Sequence, residues 1–177
     1  MKRLILFSFV AVGLFLAGCS DQSSLVGPTQ QISQQQGRTL IDLPVTSLYK
    51  SVKASEKIDG SVGGTIEFKG EITKGVEIHG TLVIPAGAFT GTKKISIESD
   101  KKTASFEFGP TGTFDLPLSF SATVTGLNLS GSTASFVYVD DNGNLTNITS
   151  DASGISDGVL YLVNAQLNHF SRYGWAK

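Results

Sequence analysis

Cysteine is nearly absent from this chain: of 177 residues only Cys19 carries a thiol. One thiol cannot close an intramolecular disulfide or build a cysteine-based metal site, so the fold must rest on its apolar core. Histidine is almost as scarce, with His79 and His169 far apart and no ligand spacing around either. Charge is low at 16%, and 14 basic against 15 acidic residues leave a formal net charge of −1. No basic block follows the first residues, which excludes the clustered Lys/Arg that nucleic acids and anionic membrane surfaces recognise. Helical periodicity is missing too: after residue 18 no window sustains a 3.6-residue apolar face over three turns. There is no Gly-x-Ser-x-Gly, and Gly60-Ser61-Val62-Gly63-Gly64 lacks the Lys-Ser/Thr ending of a phosphate loop. Conventional hydrolase and nucleotide-binding signatures are therefore not present, and no metal or diffusible cofactor is expected.

What is present begins with a three-part leader. Met1-Lys2-Arg3 is basic, Leu4–Ala17 is an apolar run, and small residues close it at Gly18. The run is shorter than the roughly 20 apolar residues that a bilayer-spanning helix needs. Leu16-Ala17-Gly18-Cys19 resembles the lipobox of bacterial lipoproteins. The resemblance implies that the Cys19 sulfur receives a diacylglycerol, that residues 1–18 are removed, and that the new amino group is acylated. Two or three acyl chains anchor stably where one binds only marginally. Ser20, rather than Asp, follows Cys19, and similarity to sorting in enteric-type bacteria implies an outer-membrane destination. Without Lys2 and Arg3 the mature chain has 12 basic and 15 acidic residues, a net charge of −3.

Residues 19–45 form the expected lipidated linker. From Ser20 they are rich in Gln and Ser, broken by Gly27-Pro28 and Gly37, and show no period. A flexible coil of that length has an r.m.s. span of roughly 25–30 Å, enough to hold a domain clear of lipid headgroups.

From 46 to 177 the pattern changes to period two. Thr65–Lys69, Lys94–Glu98, Ser105–Phe108 and Ser119–Val124 alternate apolar and polar residues. Ser135–Val139 and Val159–Val163 are denser, as in strands covered on both faces. Asp141-Asn142-Gly143-Asn144 marks a hairpin, because Asn-Gly accepts positive φ at both central positions. Its Gly and the lack of a later Glu do not match a calcium loop. The expectation is all-β: one antiparallel β-sandwich of about eight to ten short strands. Asn128, Asn144 and Asn147 head Asn-x-Ser/Thr sequences that read as polar turns.

Several pieces of this region, in order, resemble the ZU-five domain, the β-sandwich module of zonula occludens proteins and Unc-five netrin receptors. They are Gly63-Gly64-Thr65-Ile66, Val83-Ile84-Pro85-Ala86-Gly87-Ala88-Phe89, Phe106–Phe114 with Pro117, and His169-Phe170-Ser171-Arg172-Tyr173. The resemblance runs from about Ile58 onward. It implies a non-catalytic interaction or structural module with an envelope or extracellular protein partner.

His169-Phe170-Ser171 is the sharpest chemical candidate. In some ZU-five proteins a His-Phe-Ser sequence is a site of self-cleavage, which the resemblance carries to the Phe170–Ser171 peptide. The chemistry requires Ser171 Oγ at the Phe170 carbonyl, His169 able to take its proton, and a twisted peptide whose strain an N-to-O shift relieves. The structural alternative makes Phe170, Tyr173 and Trp175 an aromatic closing strand. A third reading is a carbohydrate or small-ligand module, which requires an exposed aromatic cluster drawn from Tyr138, Tyr161, Tyr173 and Trp175.

Overall fold

Alternation sends one side of each polar–apolar run inward, and nine strands result in this computed structural model. It describes residues 37–44, 50–129 and 133–177. The leader, Leu16, Ala17, Gly18, Cys19 and most of the expected linker lie outside the described residues. The strands are β1 (Lys53–Asp59), β2 (Gly64–Thr73), β3 (Val76–Ile84), β4 (Thr92–Ser99), β5 (Ser105–Val124), β6 (Ser135–Val139), β7 (Leu145–Asn147), β8 (Ala152–Ser156) and β9 (Val159–Ala176). Every pairing is antiparallel, and the expected all-β class is what the chain adopts.

One hydrogen-bonded network makes both layers, because β5 and β9 belong to each. The first half of β5 pairs with β4, and the second half pairs with β3. Along its other edge β5 follows β9, from Ser105↔Gly174 to Val124↔Leu160. The latter half of β9 also carries β6 and β7, and its first half carries β8. Phe108 and Phe120 would stand roughly 40 Å apart on a straight strand at ~3.3 Å per residue. Their ring centroids are 5.0 Å apart, so β5 folds back on itself. Strand β9 does the same: Trp175 Nε1 donates to the Tyr161 carbonyl at 3.2 Å.

The bends coincide with breaks in register. Thr113 opposes His169 and Leu118 opposes Leu167, so Phe114–Pro117 face Asn168 alone. Asp115 N–H ties this bulge to the Ala88 carbonyl, and the Phe89 and Phe114 rings meet at 6.1 Å. A second break lies at Asn164, in left-handed conformation with φ 50°, whose N–H donates to Ser121 Oγ at 3.0 Å. Ser105–Phe108 and Ser119–Val124, expected as separate strands, are thus two ends of one. Pairing with β9 lapses across Gly109-Pro110 and resumes at Gly112, opposite Phe170, without ending the strand.

Between the layers sits an aromatic cluster centred on Phe106. Its ring meets Phe68 at 5.7 Å, Phe120 at 5.1 Å and Trp175 at 5.7 Å, all edge-to-face. Phe136 joins it at 6.3 Å. Val137 and Val139, on the opposite face of β6, pack with Leu145, Ala176 and Leu40 in a smaller outer cluster. The dense β6 run is therefore covered on both sides, as its composition implied.

Two local expectations are corrected. The end of the expected 19–45 linker is part of the domain, because Ile41 and Leu43 are apolar side chains with a core to enter. Both are buried, Ile41 N–H donates to the Trp175 carbonyl, and Thr39 and Lys177 exchange two backbone hydrogen bonds of 3.0 Å. At the β6–β7 hairpin only Gly143 takes positive φ, at 80°. Its N–H donates to the Asp140 carbonyl, a three-residue loop closed by a left-handed glycine rather than a two-residue turn.

Phe106→Ala removes the ring at the centre of this cluster, which meets Phe68, Phe108, Phe120, Phe136 and Trp175. Large-to-small core changes of this type cost about 3–5 kcal/mol. Thermal melting is expected to fall by roughly 10 °C or more; an unchanged midpoint would show that the cluster does not carry the fold.

Candidate functional site

The second half of β9 and its neighbour β6 gather the singled-out residues, because Tyr138 opposes Tyr173 in their ladder. Phe170 points inward: it is buried, stacks on Phe108 at 5.7 Å and meets Phe114 edge-on at 4.6 Å. Tyr173 is buried as well, stacked on Phe136 with only 9° between the rings. Its hydroxyl donates to the His169 carbonyl at 2.8 Å and lies 3.3 Å from His169 Nδ1. A phenol has one proton. With that proton on the carbonyl, the Tyr173 oxygen accepts from Nδ1–H, and His169 Nε2 is left as an acceptor. Burial, with Tyr138 adding to it, pushes the Tyr173 hydroxyl far above its ordinary range, so it remains a donor.

His169 is thereby held by Tyr173 and by the Tyr138 ring, edge-to-face at 4.7 Å. No hydrogen bond joins it to Ser171. That residue falls at the third register break, between the pairs Glu107↔Arg172 and Gly112↔Phe170. Among the described residues its hydroxyl has no hydrogen-bond partner, and neither Phe170 nor Ser171 has positive φ. The structure brings His169 and Ser171 onto one strand but aims the imidazole elsewhere. His79 is in β3, opposite Thr123, with β5 between it and β9 in the sheet order.

Of the four rings proposed for an exposed aromatic cluster, Trp175 and Tyr173 are buried in the core. Tyr138 and Tyr161 are half-buried. A cluster of all four at the surface does not form, because alternation turns Trp175 toward Phe106 and Phe136. Tyr138 instead lines a cleft of about 230 Å³ between β6, β7 and β9, with Thr146, Asn147, Gln166, Asn168 and His169. Asn147 is fixed from outside: Arg38 Nη1 donates to its Oδ1 at 2.8 Å. Arg38 Nη2 is buried with no partner among the described residues.

Beside this region, Arg172 gathers a polar network. Its guanidinium donates to Ser105 Oγ at 3.2 Å and Thr103 Oγ1 at 3.0 Å. It also lies 3.5 Å from Asp100 and 3.7 Å from Glu107. Burial pushes Asp100 up, but the N–H groups of Lys102 and Thr103, then Arg172, outweigh it and hold the carboxyl below its ordinary value. Burial pushes Glu107 up, and Arg172 offsets only part of that. Among the described residues no group of three His, Cys, Asp or Glu side chains could hold a metal ion.

Asn147 stood out in the sequence only as the head of an Asn-x-Thr turn and Arg172 only within the His169–Tyr173 string, while Gln166 and Asn168 carried no motif. Comparison with protein-family models, curated proteins and solved structures finds no match to this chain.

Two measurements follow. Intact mass of the purified protein is expected to show one uncut species; release of a fragment beginning at Ser171 would show that the strand cuts itself despite the imidazole's position. Asp100→Asn is expected to lower stability by about 1 kcal/mol at neutral pH, since both partners are partly exposed. A depressed carboxyl stabilises the fold above its unfolded value and loses that contribution as pH falls through the folded one. The difference between the two proteins should therefore shrink and vanish as pH falls from the ordinary Asp range through the lowered folded value, and denaturant titrations across pH decide it.

Proposed function

We propose that the chain is a bacterial envelope lipoprotein, anchored through acyl chains on Cys19 and directed to the outer membrane. Its β-sandwich serves as a non-catalytic protein-interaction or structural module. The observation that carries this reading is the coincidence of the only cysteine with the end of a basic-apolar-small leader, in the order Leu16-Ala17-Gly18-Cys19. The membrane is the first partner, through lipid. A second is an envelope or extracellular protein, met through loops or sheet edges. The ordered resemblance to ZU-five modules favours that use over an activity on substrate, and the mature net charge argues against nucleic acid.

Cys19→Ala is the direct test. Metabolic labelling with a tagged fatty acid should mark the wild-type protein and not the variant, and the variant should leave the membrane fraction. Retention of the variant at wild-type level would refute the anchor. Crosslinking in intact envelopes, followed by capture of the mature protein, should enrich an envelope component over a control lipoprotein.

A further inference from the structure

We infer that the cleft between β6, β7 and β9 is a binding site for a neutral, polyhydroxylated ring, a single saccharide unit. Size, charge and hydrogen-bonding capacity each point there. A volume of about 230 Å³ is below the roughly 300–1,000 Å³ of pockets that enclose drug-sized ligands. That is room for one small ring. No Lys, Arg, Asp or Glu lines the cleft, so neither a cationic nor an anionic ligand meets a countercharge in the wall.

The wall is instead a set of uncharged donors and acceptors around two ring surfaces. Thr146, Thr149 and Asn168 are exposed, and among the described residues no hydrogen bond engages their side chains. Gln166 spends Nε2 on the Asn164 carbonyl at 3.2 Å, leaving Oε1 as an acceptor. Arg38 fixes Oδ1 of Asn147, which leaves the Asn147 amide nitrogen as a donor. His169 presents Nε2 as an acceptor, because Nδ1–H is committed to Tyr173. The cleft thus offers both donors and acceptors, and each sugar hydroxyl is both donor and acceptor. Tyr138 and His169, at 83° to each other, supply a corner of two π surfaces against which the C–H face of a sugar packs. The corner is preorganised: the buried Tyr173 hydroxyl locks the imidazole, and Tyr173 is itself stacked in the core. This site does not depend on the lipid anchor, and either reading can fail alone.

The test uses the full chain in a zwitterionic, sugar-free detergent. Saturation-transfer NMR is run with methyl hexopyranosides and N-acetylglucosamine, with a neutral polysaccharide of the best ring, and with inorganic phosphate. At least one neutral sugar is expected to bind with a dissociation constant of about 1 mM or below. Tighter binding of the polysaccharide identifies an envelope glycan as the source, and equal or weaker binding a soluble sugar; both support the site. Asn168→Ala, an exposed change, and Tyr138→Phe, which keeps the ring, serve as variants. Asn168→Ala should weaken binding at least tenfold with an unchanged melting temperature, whereas Tyr138→Phe should leave it within about threefold. Absence of any sugar signal, a signal untouched by Asn168→Ala, or binding of phosphate alone through Arg38 would overturn the proposal.

Discussion

Strands β5 and β9 pair with each other along most of their length, and every other strand is placed by that ladder. Because both bend back, a single hydrogen-bonded network supplies two layers without a covalent cross-link between them. A chain whose one cysteine is Cys19 has no intramolecular disulfide with which to staple its sheets. The shared ladder does that work here. It fixes the distance between layers through continuous backbone, and the Phe106 cluster fills the space it defines. The register breaks at Phe114–Pro117, Asn164 and Ser171 are the places where a long ladder must yield if it is to close over a core.

The fold class was legible because burial on one face imposes period two, and the chain obeys it in most of its inner strands. Ile66 and Phe68, Ile95 and Ile97, Phe106 and Phe108 all enter the core as alternation requires. Strand β1, by contrast, was not legible: Lys53–Asp59 carries a single buried apolar residue, Ile58, and pairs only with β4. Edge strands have little need of apolar side chains, so their sequences resemble loops. The unity of β5 was hidden for another reason. Gly109-Pro110 and Gly112 signal a turn in isolation, and only the β4 and β9 ladders on either side keep that segment extended. Ile41 and Leu43 were obscured by the Gln-rich stretch before them, although two apolar residues two apart already carry a strand's period.

Site chemistry was less legible than fold because it depends on which atoms are already occupied. His169, Phe170 and Ser171 form a recognisable string, yet the direction of the imidazole is set by Tyr173, four residues later, and by Tyr138 on a neighbouring strand. The string does not encode that preference; the β6–β9 register does. Asn147, Gln166 and Asn168 pose the converse case. Each is unremarkable alone, and they become a surface only because β7 and the bend of β9 bring them to one opening. Arg172 is similar: its role as a clamp on residues 100–107 follows from the pairing of Glu107 with it, not from any local pattern.

The shared ladder also has a kinetic side. Arg172 and Ser105, hydrogen-bonded across β5 and β9, are 67 residues apart in sequence. Loop closure over such separations must precede the contacts that reward it, which places domains of this kind among the slow folders, in milliseconds to seconds. Strand β9 pairs with β5, β6 and β8, so neither layer can be completed until it docks. Until then, Phe106, Phe120 and Phe136 have no Trp175 or Tyr173 to cover them. This dependence on one strand confines the aggregation-prone interval to the time before β9 docks.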